Sequence, residues 1–277
     1  MNQAAETTVT AAHIAVSGAR VYYEVRGTGP TVLLLGSPMD ATSFAPLAER
    51  LATDHTVVTL DPRGINRSTV DDRDQDSTPQ RRADDVARLL THRDLAPAAA
   101  FGSSGGAVTL LALAEARADL VHTVVAHEPP LDEMLPDREE RRAVAERIVA
   151  AYLEHGRAAA WRLFLADANI DLSEPVFAEM FGRPLELQPA ADEDYFFRHE
   201  MRPSIEFRPD LDALREGRTR IMVGIGEEST GQVCDRTSTA LATALGIRPV
   251  TFPGDHIGFV DDPDRFAQIL RTLLPAT

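Results

Sequence analysis

Short, continuous apolar runs alternate with longer segments of helical periodicity over the first 130 residues. The runs have the length and hydrophobicity typical of strands buried on both faces; they are TVLLLG (31–36), HTVVTLD (55–61), AAAFG (98–102) and HTVVAHE (122–128). Helical segments separate them, namely SFAPLAERLA, RRADDVARLLTHRDL and GAVTLLALAEARA. An alternating stretch, HIAVSGARVYYEV, predicts a preceding hairpin that turns at Ser17-Gly18. The alternation predicts a parallel sheet covered by helices on both faces.

The alternation stops after HTVVAHE and returns only near the end of the chain. Residues 131–217 carry mostly helical patterns, and aromatic side chains concentrate there, including the single tryptophan, Trp161. TRIMVGIG and RPVTFPG then read as two further strands, and DPDRFAQILRTLL as a closing helix. The polar stretch 62–79 is predicted to be a loop. We therefore predict an eight-stranded α/β core in two parts, residues 1–130 and 218–277, with a helical insertion at 131–217 after the sixth strand.

Charge and cysteine content narrow the classes of function. The 277 residues have a formal net charge of −15, and the arginines are scattered among acidic residues. Nucleic acid is therefore disfavoured as a partner, because its binding needs clustered cations. Cys234 is the single cysteine, so an internal disulfide and a cysteine metal cluster are excluded. Since no signal peptide is visible and no run reaches the roughly 18 apolar residues of a membrane span, we expect a cytoplasmic protein with no membrane partner.

The stretch GSSGG (102–106) places Ser104 at the centre of a G-x-S-x-G pattern. Three fixed letters are a weak signal, and an ordinary glycine–serine loop is the alternative. The surroundings strengthen the pattern, because a nucleophile elbow must lie between a buried strand and a helix. AAAFG leads into Ser104 and GAVTLLALAEARA leaves it, while Gly102 and Gly106 would let the strand and the helix approach closely. Ser104 is therefore the candidate nucleophile.

A serine hydroxyl needs a base to take its proton at neutral pH. His256 lies in PGDHIGF, between the last predicted strand and the closing helix. Of the eight histidines it alone follows a late strand in a loop. His256 is therefore the candidate base, with a structural histidine as the alternative.

The elbow, the late histidine, the mid-chain helical insertion and the order of strands together resemble the α/β-hydrolase superfamily, in its capped, single-domain form. The resemblance covers about residues 13–274. GSSGGA, HEPP, GEES and PGDHIGF resemble a group of bacterial hydrolases, and DPRGINRS (61–68) is similar to a turn of the superfamily that follows the fourth strand. The resemblance implies a mostly parallel, twisted sheet flanked by helices, with the insertion acting as a cap over the site.

An oxyanion hole needs backbone N–H groups directed at the developing negative charge. Gly105, directly after the nucleophile, supplies one. The resemblance assigns the other to Ser37, although many relatives carry His-Gly where this chain has Leu35-Gly36-Ser37-Pro38. Pro38 is excluded because it has no N–H.

The acid that would hold the histidine departs from the pattern of the superfamily. The usual turn G-x-x-D reads Gly226-Glu227-Glu228-Ser229, so a serine stands where the aspartate is expected. Glu128 in HTVVAHEPP occupies the other location known in the superfamily, at the end of the sixth strand. We favour Glu128 and keep Glu228 as the alternative.

Together these residues predict a serine hydrolase with a Ser-His-Glu triad that cleaves an ester, thioester or lactone of a small, partly apolar molecule through an acyl-enzyme. No phosphate cradle or metal-ligand spacing is present in the sequence, so we expect neither a cofactor nor a metal. Met39 and Trp161 are candidate substrate-binding residues. Other aromatic residues of the insertion, Phe164 among them, are candidates as well, with packing inside the insertion as the alternative.

Other readings of the same residues remain open. Carbon–carbon bond hydrolysis, acyl transfer and perhydrolysis could use the same nucleophile and base. The fold could also serve as a small-molecule receptor without turnover, or as a biosynthetic auxiliary without an acyl-enzyme. The substrate and the oligomeric state, a homodimer included, are left open by the sequence.

Overall fold

A twisted sheet of nine strands forms the centre of the protein in the computed structural model, which describes residues 8–274. The strands are β1 (Val9–Val16), β2 (Ala19–Arg26), β3 (Thr31–Leu35), β4 (Thr56–Leu60), β5 (Thr69–Val70), β6 (Ala98–Ser103), β7 (Val121–His127), β8 (Arg220–Gly226) and β9 (Val250–Phe252). Their order across the sheet is β1-β2-β4-β3-β6-β7-β8-β9, with β5 paired to β2 outside this path. Strands β3, β4 and β6 to β9 are parallel, whereas β2 is antiparallel to its neighbours. The mostly parallel sheet is as predicted.

The sheet has one strand more than the eight predicted from sequence. The additional strand, β5, lies inside the polar stretch 62–79 that was predicted to be a loop. Its two residues pair with Ala19 and Arg20 of β2. The loop prediction was therefore wrong for Thr69 and Val70. Two residues are too few to produce a periodic apolar pattern, so the sequence gives no sign of this strand. The predicted hairpin is confirmed, since β1 and β2 are joined by Ser17 and Gly18.

Helices cover both faces of the sheet, as parallel connections require. They are α1 (Ala41–Leu51), α2 (Pro79–His92), α3 (Gly105–Ala116), α4 (Arg138–His155), α5 (Arg157–Ala168), α6 (Glu174–Phe181), α7 (Leu187–Tyr195), α8 (Met201–Ile205), α9 (Leu211–Glu216), α10 (Val233–Leu245), α11 (Gly258–Asp261) and α12 (Pro263–Leu273). Apolar residues of α2, α3 and α10 fill the core on one face, and those of α1, α11 and α12 fill the core on the other. Over residues 8–274, no helix is long and apolar enough to cross a membrane.

The chain between β7 and β8 is helical, in agreement with the pattern of residues 131–217. A short 3-10 helix (Asp132–Met134) precedes α4, and a π-helical turn (Phe196–Glu200) joins α7 to α8. These helices have a small hydrophobic core of their own, centred on Ile148 and Phe197. That this insertion is a separate domain with the predicted boundaries stays a prediction.

Parallel strands bring the chain to one edge of the sheet each time a strand ends. The segments that follow β6, β7, β8 and β9 therefore meet at the same edge. In open α/β sheets, ligands bind outside the carboxyl ends of the strands. Ser104, Glu128 and His256 all lie in these segments.

Candidate active site

Ser104 lies on a sharp turn between β6 and α3. Its backbone has φ 56° and ψ −129°, a conformation that is strained for a residue with a side chain. Two backbone hydrogen bonds hold the turn: the Ser104 N–H donates to the carbonyl of His127 at 3.0 Å, and the Ser104 carbonyl accepts from Ala107 N–H at 2.9 Å. A strained serine between a strand and a helix is the geometry expected of a nucleophile elbow.

The two outer glycines of GSSGG are needed for the close contact between β6, α3 and the neighbouring strand. A Cβ atom on Gly106 would overlap the carbonyl oxygen of Leu35. A Cβ atom on Gly102 would lie 2.7 Å from the carbonyl oxygen of Gly106. Both positions therefore exclude a side chain, as the sequence led us to expect.

His256 is held by Glu128. The His256 Nδ1 atom lies 2.6 Å from Glu128 Oε2, and Glu128 Oε1 accepts the backbone N–H of Gly226 at 2.8 Å. The Glu128 side chain is fully buried, and its backbone is left-handed at φ 49°. Burial by itself would raise the pKa of Glu128, but the hydrogen bond and charge of His256 hold that pKa far below its usual range. Glu128 therefore remains a carboxylate that can fix the ring of His256.

The alternative acid, Glu228, lies elsewhere. Its side chain is exposed and, among residues 8–274, accepts no hydrogen bond. Its backbone N–H donates to the carbonyl of Gly254 at 2.9 Å. Ser229, where the superfamily pattern has aspartate, is fully buried. Of the two glutamates, the structure brings Glu128 to the histidine.

Gly105 and Ser37, the two candidate oxyanion residues, pack against each other. A Cβ atom on Gly105 would lie 2.7 Å from the Ser37 carbonyl oxygen and 3.0 Å from the Ser37 Cβ. The Ser37 hydroxyl donates to Glu200 Oε1 at 2.5 Å. Glu200 ends the π-helical turn of the insertion and is buried, and burial raises the pKa of its carboxyl. The insertion thus contacts the turn that carries Ser37.

Ser104 and His256 both line a cavity of about 100 Å³. We call it the main cavity. Its wall is largely apolar and is formed chiefly by the insertion and by α10; the apolar lining residues are Pro130, Ala145, Ile148, Phe164, Ala168, Ile170, Met201, Ile205 and Val233. Its polar lining, apart from Ser104 and His256, consists of Asp132, Arg141, Asp167 and Cys234.

Met39 and Trp161, predicted to bind substrate, do not line the main cavity. Both line a second hollow that also includes Glu193. The Trp161 Nε1–H donates to Glu193 Oε2 at 2.7 Å, and the Trp161 ring stacks on Phe181. The Trp161 ring thus packs within the insertion, and substrate binding by Met39 and Trp161 stays a prediction. Phe164, three residues further along α5, does line the main cavity.

A family model described as the alpha/beta hydrolase family matches residues 31–269, which is most of the chain. This chain belongs to the alpha/beta hydrolase family. An uncharacterised hydrolase of Bacillus subtilis (strain 168), YraK, is 31% identical over 272 residues, covering 96% of this chain and 97% of that protein.

A further relative and a solved structure are similar to this chain at lower sequence identity. A zearalenone hydrolase of Bionectria ochroleuca is 28% identical over 266 residues, covering 91% of this chain and 92% of that protein. The crystal structure of an enol-lactonase from Burkholderia xenovorans LB400 superposes with a TM-score of 0.71 at 21% identity, covering 95% of this chain and 99% of the other. At that identity the superposition shows the shared α/β-hydrolase fold.

A buried serine–histidine pair lies directly behind the site of this α/β-hydrolase. Ser103 Oγ is 3.1 Å from His127 Nδ1, and both side chains are fully buried. Burial lowers the pKa of His127 to about 4, so the ring is neutral at physiological pH. Sequence analysis did not select this pair, although each residue adjoins a candidate catalytic residue. Ser103 and His127 are partners in the register of β6 and β7, so the pairing of these two strands is the information that would have identified them.

A metal ion at this α/β-hydrolase site would compete with the contact between His256 and Glu128. Among residues 8–274, the group of three potential ligands with the required closeness is Glu128, Cys234 and His256, whose ligand atoms all lie within 4.8 Å of one another. Burial and the adjacent Glu128 carboxylate raise the pKa of the Cys234 thiol far above its ordinary value. A metal would have to deprotonate that thiol and separate His256 from Glu128. The arrangement therefore fits the hydrogen-bonded pair of Glu128 and His256 better than a metal site.

Proposed function

We propose that this α/β-hydrolase cleaves a carboxylic ester, thioester or lactone through an acyl-enzyme. The observation that carries the proposal is the shared cavity: Ser104, on a strained elbow, and His256, held at Nδ1 by Glu128, both line it. Because Nδ1 is engaged by the carboxylate, Nε2 is the ring atom left to take the proton of the serine hydroxyl.

The proposed reaction has two halves. The Ser104 Oγ attacks the carbonyl carbon while His256 Nε2 takes its proton, and the N–H groups of Gly105 and Ser37 stabilise the oxyanion. The bond to the leaving oxygen or sulfur then breaks, and the leaving group departs with the proton from His256. In the second half His256 Nε2 takes a proton from a water molecule as that water attacks the acyl carbon. The bond between the acyl carbon and Ser104 Oγ then breaks, His256 gives the proton to Ser104 Oγ, and the carboxylic acid leaves.

The lining of the main cavity supports a partly apolar substrate. Apolar walls exclude water and favour apolar groups on binding. Family membership, together with relatives named as hydrolases and a structural neighbour described as an enol-lactonase, supports ester or lactone hydrolysis in general. We propose Ser104 as the nucleophile, His256 as the base and Glu128 as the acid.

A fluorophosphonate probe tests the nucleophile. We expect the probe to label Ser104 in the parent protein, as located by peptide mass spectrometry, and to leave Ser104→Ala unlabelled. Ser103→Ala is the matched control, since Ser103 adjoins the nucleophile but points to His127, and it should still be labelled at Ser104. A folded parent that is not labelled, or a label on any other residue, would contradict the proposal.

The acyl-enzyme has its own test, for which this chain is well suited. All 28 basic residues other than histidine are arginines, so the sequence contains no lysine to react with an activated ester. We expect acid quenching during turnover of para-nitrophenyl butyrate to show one added butyryl group by intact-protein mass, lost in Ser104→Ala. If the release of para-nitrophenol shows a burst but the protein carries no butyryl adduct at early times, direct attack by water is favoured. Binding without turnover would favour a receptor.

A further inference from the structure

Asp132 is a buried carboxyl in the wall of the main cavity with one oxygen unused. The residue is 4% exposed and lies in the short 3-10 helix at the start of the insertion. Asp132 Oδ2 accepts from Arg141 Nε at 3.2 Å, while Asp132 Oδ1 is buried and has no hydrogen-bond partner within residues 8–274. Leaving a buried polar atom without a partner costs stability, so such atoms are uncommon and need an explanation.

Arg141 cannot supply the missing partner, because a second carboxylate takes up its other end. The two outer nitrogens of Arg141 donate to the two oxygens of Asp167, each at 2.7 Å. Two carboxylates therefore share one guanidinium, and the cluster carries a net negative charge when both are ionised. Burial raises the pKa of Asp132 to about 6, so its carboxyl is ionised at slightly alkaline pH.

The rest of the cavity wall points to a ligand as the source of the partner. The residues from the insertion that line the cavity with Asp132 are apolar apart from Arg141 and Asp167; they include Ala145, Ile148 and Phe164. None of these side chains can donate a hydrogen bond. A substrate group that fills the site can supply the donor that these side chains lack.

The charge of the cluster limits which donor fits. A second carboxylate on the substrate would be repelled by the net negative charge. An ammonium would be attracted by that charge, but it would have to lose much more hydration among apolar walls than a neutral group does. A hydroxyl group is neutral, is cheaper to desolvate, and forms a charge-assisted hydrogen bond with a carboxylate oxygen.

We propose that Asp132 Oδ1 accepts a hydrogen bond from a hydroxyl group of the substrate, so that the enzyme selects hydroxylated esters or lactones with an otherwise apolar body. The inference rests on the proposed function, because Asp132 and Ser104 line the same cavity. Asp132 is thereby a specificity-determining residue, and its ion pair with Arg141 holds the carboxyl in place.

Matched substrates provide the test. We would compare para-nitrophenyl hydrocinnamate with its meta- and para-hydroxyphenyl derivatives, at about pH 8 so that Asp132 is ionised. The parent should prefer at least one hydroxylated ester by about 10-fold to 150-fold in kcat/KM, the range of one hydrogen bond to a charged group. In Asp132→Ala this preference should fall to about one, with a smaller change for the ester without a hydroxyl.

Asp137→Asn is the control. Asp137 directly precedes helix α4, which contains Arg141, but it pairs with Arg236 and does not line the cavity. The Asp137→Asn variant should therefore keep the preference of the parent.

Each outcome decides the inference separately from the proposed function. A parent that hydrolyses all the esters with no preference above about twofold overturns the inference and leaves the hydrolase intact. A preference that survives in Asp132→Ala also overturns it. Equal losses for all esters in Asp132→Ala would show that the cluster only holds the insertion in place, against the inference. If no ester is turned over, dissociation constants of the corresponding methyl esters for parent and Asp132→Ala give the same ratio by calorimetry, so the inference is still decided.

Discussion

Glu128 keeps its negative charge in a fully buried position because His256 and the Gly226 N–H bind its two oxygens. Glu128→Gln preserves the size of the side chain but can no longer stabilise an imidazolium. We expect kcat for para-nitrophenyl butyrate to fall by on the order of 10²- to 10⁴-fold, as for the loss of a triad carboxylate. Initial rates at saturating ester measure the effect.

Glu228→Gln is the matched control for that substitution. It makes the same chemical change on an exposed side chain one strand away, so kcat should stay close to that of the parent. The reverse result, in which Glu228→Gln is inactive and Glu128→Gln is not, would assign the acid to Glu228.

His127 makes stability depend on pH. Its pKa is about 4 when folded, against about 6.5 for a free histidine, so the unfolded chain binds more protons between these values. Stability contributed by neutral His127 is therefore present above pH 6.5 and is lost as the pH falls towards 4. The single group should lower the free energy of unfolding by about 2 kcal/mol between pH 7 and pH 5.

Urea titrations of the parent and of His127→Asn, at both pH values, measure this contribution. The variant will be less stable at neutral pH, because a fully buried ring is lost. Its change in unfolding free energy between the two pH values should nevertheless be smaller than that of the parent. Identical pH dependence in the two proteins would show that His127 titrates normally in the folded state.

Individual residues of the site differ in how far sequence reveals them. Ser104 and His256 follow buried strands in short motifs, so local pattern suffices to select them. The choice between Glu128 and Glu228 depends on which strand end faces the histidine, and that is a tertiary property. Asp132 lies two residues after HEPP as an ordinary polar residue, and only its burial and its unpartnered oxygen make it notable.

The elbow between β6 and α3 depends on glycine at 106 for packing. In Gly106→Ala the added methyl group would overlap the carbonyl of Leu35 on the adjacent β3 strand. Moving a strand or a helix in a packed core costs about 1–3 kcal/mol, and we expect at least that loss in unfolding free energy. Gly246→Ala is the control, since that glycine has a positive φ but no neighbour within 4 Å of an added Cβ, and should cost about 1 kcal/mol. Equal losses at both positions would contradict the packing argument.

The π-helical turn of the insertion reaches the candidate oxyanion turn through one hydrogen bond, from Ser37 to Glu200. Glu200→Ala removes the acceptor, and we expect kcat to fall about tenfold with KM nearly unchanged, because a donor to the oxyanion acts mainly in the transition state. Glu200→Gln keeps an acceptor oxygen and should recover most of the rate.

A double-mutant cycle separates this positioning effect from a general loss of packing. Ser37→Ala and Glu200→Ala remove the two ends of the same hydrogen bond, so the double variant should lose little more than either single variant. The coupling between the two effects should be about 1 kcal/mol in transition-state free energy. Additive losses would mean that Glu200 does not act through Ser37.

Helices and strands could be predicted where the hydrophobic pattern extended over several residues. The core strands and the helices between them have a clear period, whereas β5, with two residues, has none. Helical spacing in the insertion also predicted its helices. It did not distinguish Trp161, which packs on Phe181, from Phe164, which lines the main cavity, because periodicity shows which side chains are buried and not what they are buried against.

The whole molecule carries a strong negative field. Its 43 acidic residues exceed its 28 arginines by enough to give a net charge of −15. Such a charge repels anionic molecules over a distance that salt shortens, from a Debye length of about 30 Å at 0.01 M to about 10 Å at 0.1 M. Many arginines lie in ion pairs, so the excess belongs largely to exposed carboxylates that salt can screen.

This field should discriminate between substrates by charge. We expect kcat/KM for mono-para-nitrophenyl adipate, which carries a carboxylate, to rise by about twofold to fivefold between about 0.01 M and 0.1 M sodium chloride. Para-nitrophenyl hexanoate has a similar length without the charge, and its kcat/KM should change much less. Asp132→Asn separates the field from the cavity wall: burial shields the cluster from salt, so this variant should accept the adipate better at every salt concentration while keeping the same salt dependence. If the two esters respond alike to salt, discrimination against anions arises inside the main cavity and the surface charge has no part in it.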